Sequence, residues 1–281
     1  IPSPALRGRV REGAGGQEDA AGEAPSFPLC SRSMRTVFAT RYIAPLREGG
    51  SLPAIVEADD AGMYSLKFPG AGQGSKVLVA ELIAGELARA AGLPVPEIVF
   101  IELEADLGRT EPDPEIQDLI KASDGLNIGL DYLPGSVMFD PVAEKPEPEL
   151  ASRIVWFDAY VTNIDRTVRN TNLLVWHRRL QLIDHGAALY FHHSWDNYRE
   201  RSADPFKPIK DHVLLPFASA IEAADEYMMS RITPALIRGV VSLVPDNWLA
   251  SDPHFSSADQ YRDAYVDYLV ERLAHPRAFV Q

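Results

Sequence analysis

The stretch that decides the fold reads TNIDRTVRNTNLLVWHRRLQLID, from Thr162 to Asp184. Its second half holds two short β-rich runs, Leu173 to Trp176 and Leu180 to Ile183, joined by His177, Arg178 and Arg179. Antiparallel pairing of such runs returns the chain to its starting point, so Asn170 and Asn172 before the hairpin meet Asp184 after it. Ahead of the hairpin, Leu150, Ile154, Phe157 and Val161 recur at helical spacing and predict a helix that delivers the chain to Asn163, Ile164, Asp165 and Arg166. The expected product is a compact acidic cluster between a helix and a hairpin.

Working upstream, residues 35 to 68 read as a strand meander. Thr36 to Ala44 is β-branched and aromatic, Gly49-Gly50 breaks the pattern, Leu52 to Glu57 is apolar, and a turn at Asp59 to Gly62 leads into Met63 to Phe68. In that last run Met63, Ser65 and Lys67 share one face and Tyr64, Leu66 and Phe68 the other. A lone strand lysine usually snorkels or lies in solvent. Ser75 is expected to cap a helix that runs to about Ala91 and stops at Gly92, ahead of Pro94. Within it Glu81 has Val77, Leu78, Ala84 and Gly85 as its three- and four-residue neighbours, a set that points it inward, whereas Glu86 has Arg89 as a surface partner. Ile98 to Leu103 is another strand. The acidic, proline-broken stretch from Glu104 to Gly125 reads as a surface insertion with a short helix from Pro114 to Lys121, and Leu126 to Leu133 runs from a strand into the Pro134-Gly135 turn.

Downstream, Ala187 to Phe191 is a short apolar run, and His192 and His193 lack an acid or thiol at metal-ligand spacing. From His212 onward the pattern is helical. Thr233-Pro234 opens one helix, and Ser257 with Gln260 forms a capping box for another through Leu273, whose Tyr261, Tyr265, Tyr268 and Leu269 make an apolar stripe suited to a core.

Composition bounds the functions that remain. The chain has 281 residues, 46% of them hydrophobic, and a formal net charge of -13. Residues 1–33 lack periodicity and read as a disordered tail, or as sequence upstream of a start at Met34. Their four arginines balance four acids, so the whole net charge belongs to the body from Met34 onward. That balance argues against a nucleic-acid or anionic-membrane surface, which needs clustered Lys and Arg. The single cysteine, Cys30, falls in the tail, which leaves the body without a disulfide framework, a zinc ribbon or a cysteine nucleophile. No apolar run approaches the ~20 residues of a membrane span, and a cytoplasmic protein is expected.

The pieces converge on phosphoryl transfer. Asp165, four intervening residues and Asn170 match the spacing of a kinase catalytic loop, in which the acid accepts the substrate hydroxyl proton and the asparagine holds Mg²⁺. Asp184, after a strand and before His185-Gly186, fits the second metal-binding acid, while Lys67 and Glu81 lie upstream in the order of the lysine that holds the phosphates and its helix partner. ATP carries clustered negative charge, so hard oxygen ligands for Mg²⁺ and a fixed ammonium are the residue types this chemistry requires. In a hinge at the end of the Leu126 to Leu133 strand, backbone groups of Asp131, Tyr132 and Leu133 can read an adenine edge, although a plain strand-end turn is the alternative.

Taken together, YSLKF, AELIAGELARAAGLPVPE, TNIDRTVRN and LIDHG resemble the HipA-like kinases over roughly Tyr42 to Pro216. The resemblance implies ATP-dependent phosphorylation of Ser or Thr in a protein, with Lys67 on the phosphates, Glu81 as its partner, Asp165 as the catalytic acid, and Asn170 and Asp184 as metal ligands. His185 departs from the pattern, standing where many kinases have Phe. The expected fold is α+β and two-lobed: a β-rich N-lobe with one helix over 34–134, and a helical C-lobe over 135–281 that carries the catalytic loop and metal site. Two rival functions use the same residues, a small-molecule kinase of the aminoglycoside or choline type and a nucleotide-binding pseudokinase that serves as an interaction module. The intact Lys67, Asp165, Asn170 and Asp184 weigh against the second.

Overall fold

In the computed structural model, residues 34–46, 53–69, 74–250, 252–274 and 277–279 are described. The tail expected over residues 1–33 and the Gly49-Gly50 loop lie outside them. Five strands close into a barrel: β1 (Thr36–Pro45), β2 (Ala54–Ala58), β3 (Met63–Lys67), β4 (Ile98–Leu103) and β5 (Gly125–Asp131), in the spatial order β1-β2-β3-β5-β4. The meander supplies antiparallel neighbours, and β1 completes the circle by pairing in parallel with β4. Val37, Val56, Tyr64, Leu66, Val99 and Ile101 fill the interior. That filling leaves so little room that a Cβ on Gly129 of β5 would collide with the Ile101 side chain.

The acidic segment before β5 is not the surface insertion its sequence suggests. Its helix α2 (Pro114–Ala122), capped by the Asp113 side chain on the Glu115 amide, sends Ile116 and Ile120 into the barrel core. Two isoleucines four residues apart make one helical face apolar, and the barrel end is where that face is buried.

α1 (Ser75–Ala90) lies between the barrel and the rest of the molecule, with every residue from Leu78 to Gly85 buried. Ser75 opens the helix without capping it. Gly74 holds the cap position at φ 67°, and the Ser75 hydroxyl donates instead to the Trp248 carbonyl, 2.8 Å away. The helix ends as expected before Gly92, which takes the left-handed φ of 87° that glycine tolerates.

The remaining elements are β6 (Val137–Met138), α3 (Pro148–Tyr160), β7 (Leu173–Trp176), β8 (Arg179–Leu182), α4 (Tyr198–Arg201), α5 (Ile221–Arg231), α6 (Pro234–Val241) and α7 (Ala258–Ala274). β6, β7 and β8 form a small antiparallel sheet. The hairpin turn is only His177 and Arg178, both at positive φ, so Arg179 joins the strand rather than the loop. Beyond His212 the chain makes one short 3₁₀ turn, Leu215–Phe217, before α5 begins, and the aromatic stripe of α7 is buried against α3 and the segment at Phe191, where Phe191 stacks on Tyr268 at 3.5 Å between ring centroids. Among the described residues no helix is long and apolar enough to cross a membrane.

Candidate active site

Alternation along β3 puts Tyr64 and Leu66 into the barrel, so Lys67 emerges on the outer face, where α1 covers it. The lysine is 5% exposed rather than solvated. Its ammonium bonds Glu81 Oε2 of α1 and stands 2.5 Å from Asp184 Oδ1. Burial works against the Lys67 charge, yet Asp184 and Glu81 together hold its pKa above the ordinary lysine value. Burial likewise pushes the Glu81 carboxyl up, but Lys67 and then His185 outweigh it and hold the group down at about 2. His185, fully buried, places Nδ1 3.5 Å from Glu81 Oε1, while a Cβ on Gly186 would come within 2.7 Å of Val77 Cγ1 on α1. The segment after β8 is thus pressed against α1.

A second cluster is built at the end of α3. Thr162 takes φ 53° and turns the chain out of the helix. Asp158, fully buried on the last turn of α3, accepts from Asn163 Nδ2 at 3.0 Å, Arg166 Nε at 2.6 Å and His212 Nε2 at 2.9 Å. The Leu214 amide donates to His212 Nδ1, which leaves Nε2 as the donor to Asp158. Arg166 reaches on to the Asn172 carbonyl, and Asn163 Oδ1 accepts the Asp165 amide at 3.2 Å. Four side chains therefore fix the backbone on both sides of Asp165. Asp165 itself is partly open, accepting from Asn170 Nδ2 at 2.8 Å and Asn172 Nδ2 at 3.3 Å. Burial and the nearby Asp184 charge raise its pKa above the ordinary aspartate value, against the lowering effect of the Asn172 and Asn170 bonds.

Asn172 and Asp184 both sit in the left-handed region, at φ 47° and 55°, and the Ile183 amide donates to the Asn172 carbonyl. Paired non-glycine residues at positive φ store backbone strain, which the surrounding bonds hold in place. Asn172, expected across the hairpin from Asp184, serves Asp165 instead.

The structure thus brings together Lys67, Glu81 and Asp184 in one set of contacts, and Asp165, Asn170 and Asn172 in another. Asp131, Tyr132 and Leu133 lie apart from both. On the β3–β5 ladder Lys67 pairs with Ile128 and Tyr64 with Asp131, so the strand end is three residues, about 10 Å, from the lysine. The amides of Asp131 and Tyr132 are already donated to the Glu97 and Met63 carbonyls. A cavity of about 430 Å³ behind the hairpin, between Pro94, Phe139 and Leu150, includes none of these side chains.

Sequence reasoning missed Asp158, Asn163 and His212, and gave His185 no role. The signal for Asp158 was an acid inside the apolar run IVWFDAYV. For His212, 54 residues distant, no local signal exists.

The HipA-like kinase family model matches residues 40–279. The chain belongs to the HipA-like kinase family. A solved structure of similar fold is the Helicobacter pylori proinflammatory kinase CtkA, 12% identical, covering 87% of this chain and 96% of that one with a TM-score of 0.53. A Golgi casein kinase with Mn/ADP bound is also similar, at 12% identity over 89% of this chain and 74% of that one, with a TM-score of 0.43. No curated protein sequence matches the chain. Family and fold make this HipA-like kinase a phosphotransferase, with the mixed helices and strands of the protein-kinase-like fold.

Proposed function

We propose that this HipA-like kinase is a two-lobed enzyme, divided near Pro134, that transfers the γ-phosphoryl group of ATP to a Ser or Thr hydroxyl of a protein in the cytoplasm. The observation that carries the reading is the sharing of the buried Lys67 ammonium by Glu81 and Asp184, with Asp165 held nearby by Asn170 and Asn172. Glu81 fixes the lysine from one side, so its remaining donors can meet phosphate oxygens. The adenine edge is read by backbone groups at the strand end, Asp131 to Leu133, where the Asp131 and Tyr132 amides are already donated within the fold.

The donor set suits Mg²⁺. Asn170 spends its Nδ2 on Asp165, which leaves its amide oxygen, and Asp184 keeps a carboxylate oxygen beyond the one facing Lys67. Two hard oxygens from protein, completed by phosphates and water, are the usual protein share of a Mg²⁺ site. When bound, the ion neutralises charge on the phosphates. Asp165 accepts the hydroxyl proton as that oxygen forms its bond to the γ-phosphorus and the bond to the β–γ bridging oxygen breaks, leaving ADP. Its carboxylate is oriented by two amide donors rather than by a cation, so it stays available to a proton.

A protein acceptor is supported by the open lip of the catalytic loop. Val168 is 67% exposed and Leu215 37%, next to the bridge that joins Thr167 to His212. Such an exposed apolar surface suits contact with a loop or strand of a protein. The test is incubation with labelled ATP and Mg²⁺, alone and with lysate, for wild type, Asp165→Ala and Asp184→Ala. Label in protein from wild type only is expected. Label confined to small metabolites would overturn the protein acceptor, and ATP binding without turnover would point to a pseudokinase.

A further inference from the structure

α1 carries Glu81, so whatever fixes α1 fixes Lys67. Its N-terminal turn has no side-chain cap and no acid, yet it is tied down at two adjacent residues. Ser75 donates to the Trp248 carbonyl at 2.8 Å. Lys76 donates to the His192 carbonyl at 2.7 Å and pairs with Asp252 at 2.9 Å, the Asp252 side chain being only 8% exposed.

Both anchors come from outside the barrel and each is itself braced. Trp248 is buried, packs edge-on against Phe100 of β4 at 5.7 Å between ring centroids, and donates its indole N–H to the Leu126 carbonyl of β5. Asp252 also accepts from the Tyr261 hydroxyl and the His254 amide, and His192 is locked to the Tyr265 hydroxyl of α7 through Nδ1 at 3.0 Å. The chain after Asp184 therefore runs along the N-terminal half of α1: His185 meets Glu81, Gly186 meets Val77, and the His192 carbonyl meets Lys76. Lys76 and Glu81 are five residues apart, about 140° around the helix. The Lys76 anchor thus lies on a different side of α1 from the carboxylate that meets Lys67.

We infer that Lys76 is a positioning residue for phosphoryl transfer, latching α1 to Asp252 and to the His192 carbonyl so that Glu81 is held against Lys67 by a carboxylate already built into the chain. The activity side of this inference rests on the kinase reading above; the helix-anchoring side does not.

The test compares Lys76→Met, Asp252→Asn and Lys76→Arg with wild type, with Lys121→Met as a control that breaks only the exposed Lys121–Asp118 pair. Two quantities are read: amide hydrogen exchange of α1, and the kcat and KM of ATP-dependent transfer. Lys76→Met and Asp252→Asn are expected to speed exchange at residues 76–82 by roughly fivefold or more. Misplacing Glu81 should lower kcat by roughly 10- to 100-fold. Lys76→Arg, which can still span both partners, should stay near wild type in both. Unchanged α1 exchange in Lys76→Met and Asp252→Asn would overturn the latch, and faster exchange with wild-type kcat would overturn the positioning role. A wild type that transfers nothing would sink the kinase reading instead, and the exchange measurement would still decide the latch.

Discussion

Lys67 Nζ and Asp184 Oδ1 stand 2.5 Å apart although 117 residues separate them in the chain. With Glu81 on its other side the lysine balances two carboxylates, one of them fully buried. Removing the cation leaves Glu81 uncompensated in the interior. Lys67→Met should therefore lose about 3–5 kcal/mol of stability, and Lys67→Met/Glu81→Leu should recover most of it by removing both charges. Urea midpoints measure this. The same single variant should lose the thermal stabilisation that Mg-ATP gives wild type, and equal stabilisation would refute the phosphate role of Lys67.

Asp158 touches no expected ligand, yet it holds Asn163, Arg166 and His212 around the loop that carries Asp165. Asp158→Asn leaves the buried Arg166 guanidinium without its counter-charge, at a cost of about 3–5 kcal/mol. Because the loop bearing Asp165 is then loose while the Lys67 cluster is intact, kcat should fall by roughly 100-fold with KM for ATP nearly unchanged. A parallel rise in KM would show that the two clusters are not separable.

What was legible in the sequence was local or spaced regularly. The inward Glu81 followed from its helical neighbours, the hairpin from two β-rich runs, and the grouping of Asp165 with Asn170 from a fixed gap. Lys67 shows the limit: alternation gave its face, but only the packing of α1 over that face makes it buried. The barrel closure through β1 and β4, the plugging role of Ile116 and Ile120, and the bond from His212 to Asp158 are contacts between distant segments. Ser75 illustrates the converse. It has the residue type of a helix cap, and a tertiary acceptor, the Trp248 carbonyl, takes its hydroxyl instead.

The buried carboxylates make stability depend on acid. Glu81 is held at about 2 in the folded protein against an ordinary value of 4.5, so the folded state favours its charged form. Its contribution is fully present above about pH 4.5 and is lost as pH falls toward 2. Asp158, lowered in the same direction by Arg166 and His212 in spite of its burial, adds to the loss. Unfolding free energy measured by urea across that window should fall less steeply in Glu81→Gln than in wild type. Identical slopes would mean Glu81 is not the group responsible.

Gly186 faces Val77 across the join between the segment after β8 and α1. A Cβ there would come within 2.7 Å of Val77 Cγ1 and 3.5 Å of Lys67 Nζ. Gly186→Ala should destabilise by about 1–3 kcal/mol through overpacking. Val77→Ala in the same chain should restore part of the loss by making room, and a double-mutant cycle measures the coupling. Additive effects would show that the two residues do not meet.

Asn172 offers a way to identify the group that governs activity at low pH. Its amide bond to Asp165 favours the carboxylate, opposing the upward push of burial and of the Asp184 charge. Wild type should therefore show an acid limb of kcat/KM above the ordinary aspartate value of 3.8. Asn172→Ala removes one of the lowering bonds, so the limb should move to higher pH while activity at its plateau survives. In the proposed mechanism a protonated Asp165 has no capacity to take the hydroxyl proton, so the limb should track this one carboxyl. An acid limb that stays in place in Asn172→Ala would assign the titration to another group and remove Asp165 from the role of proton acceptor.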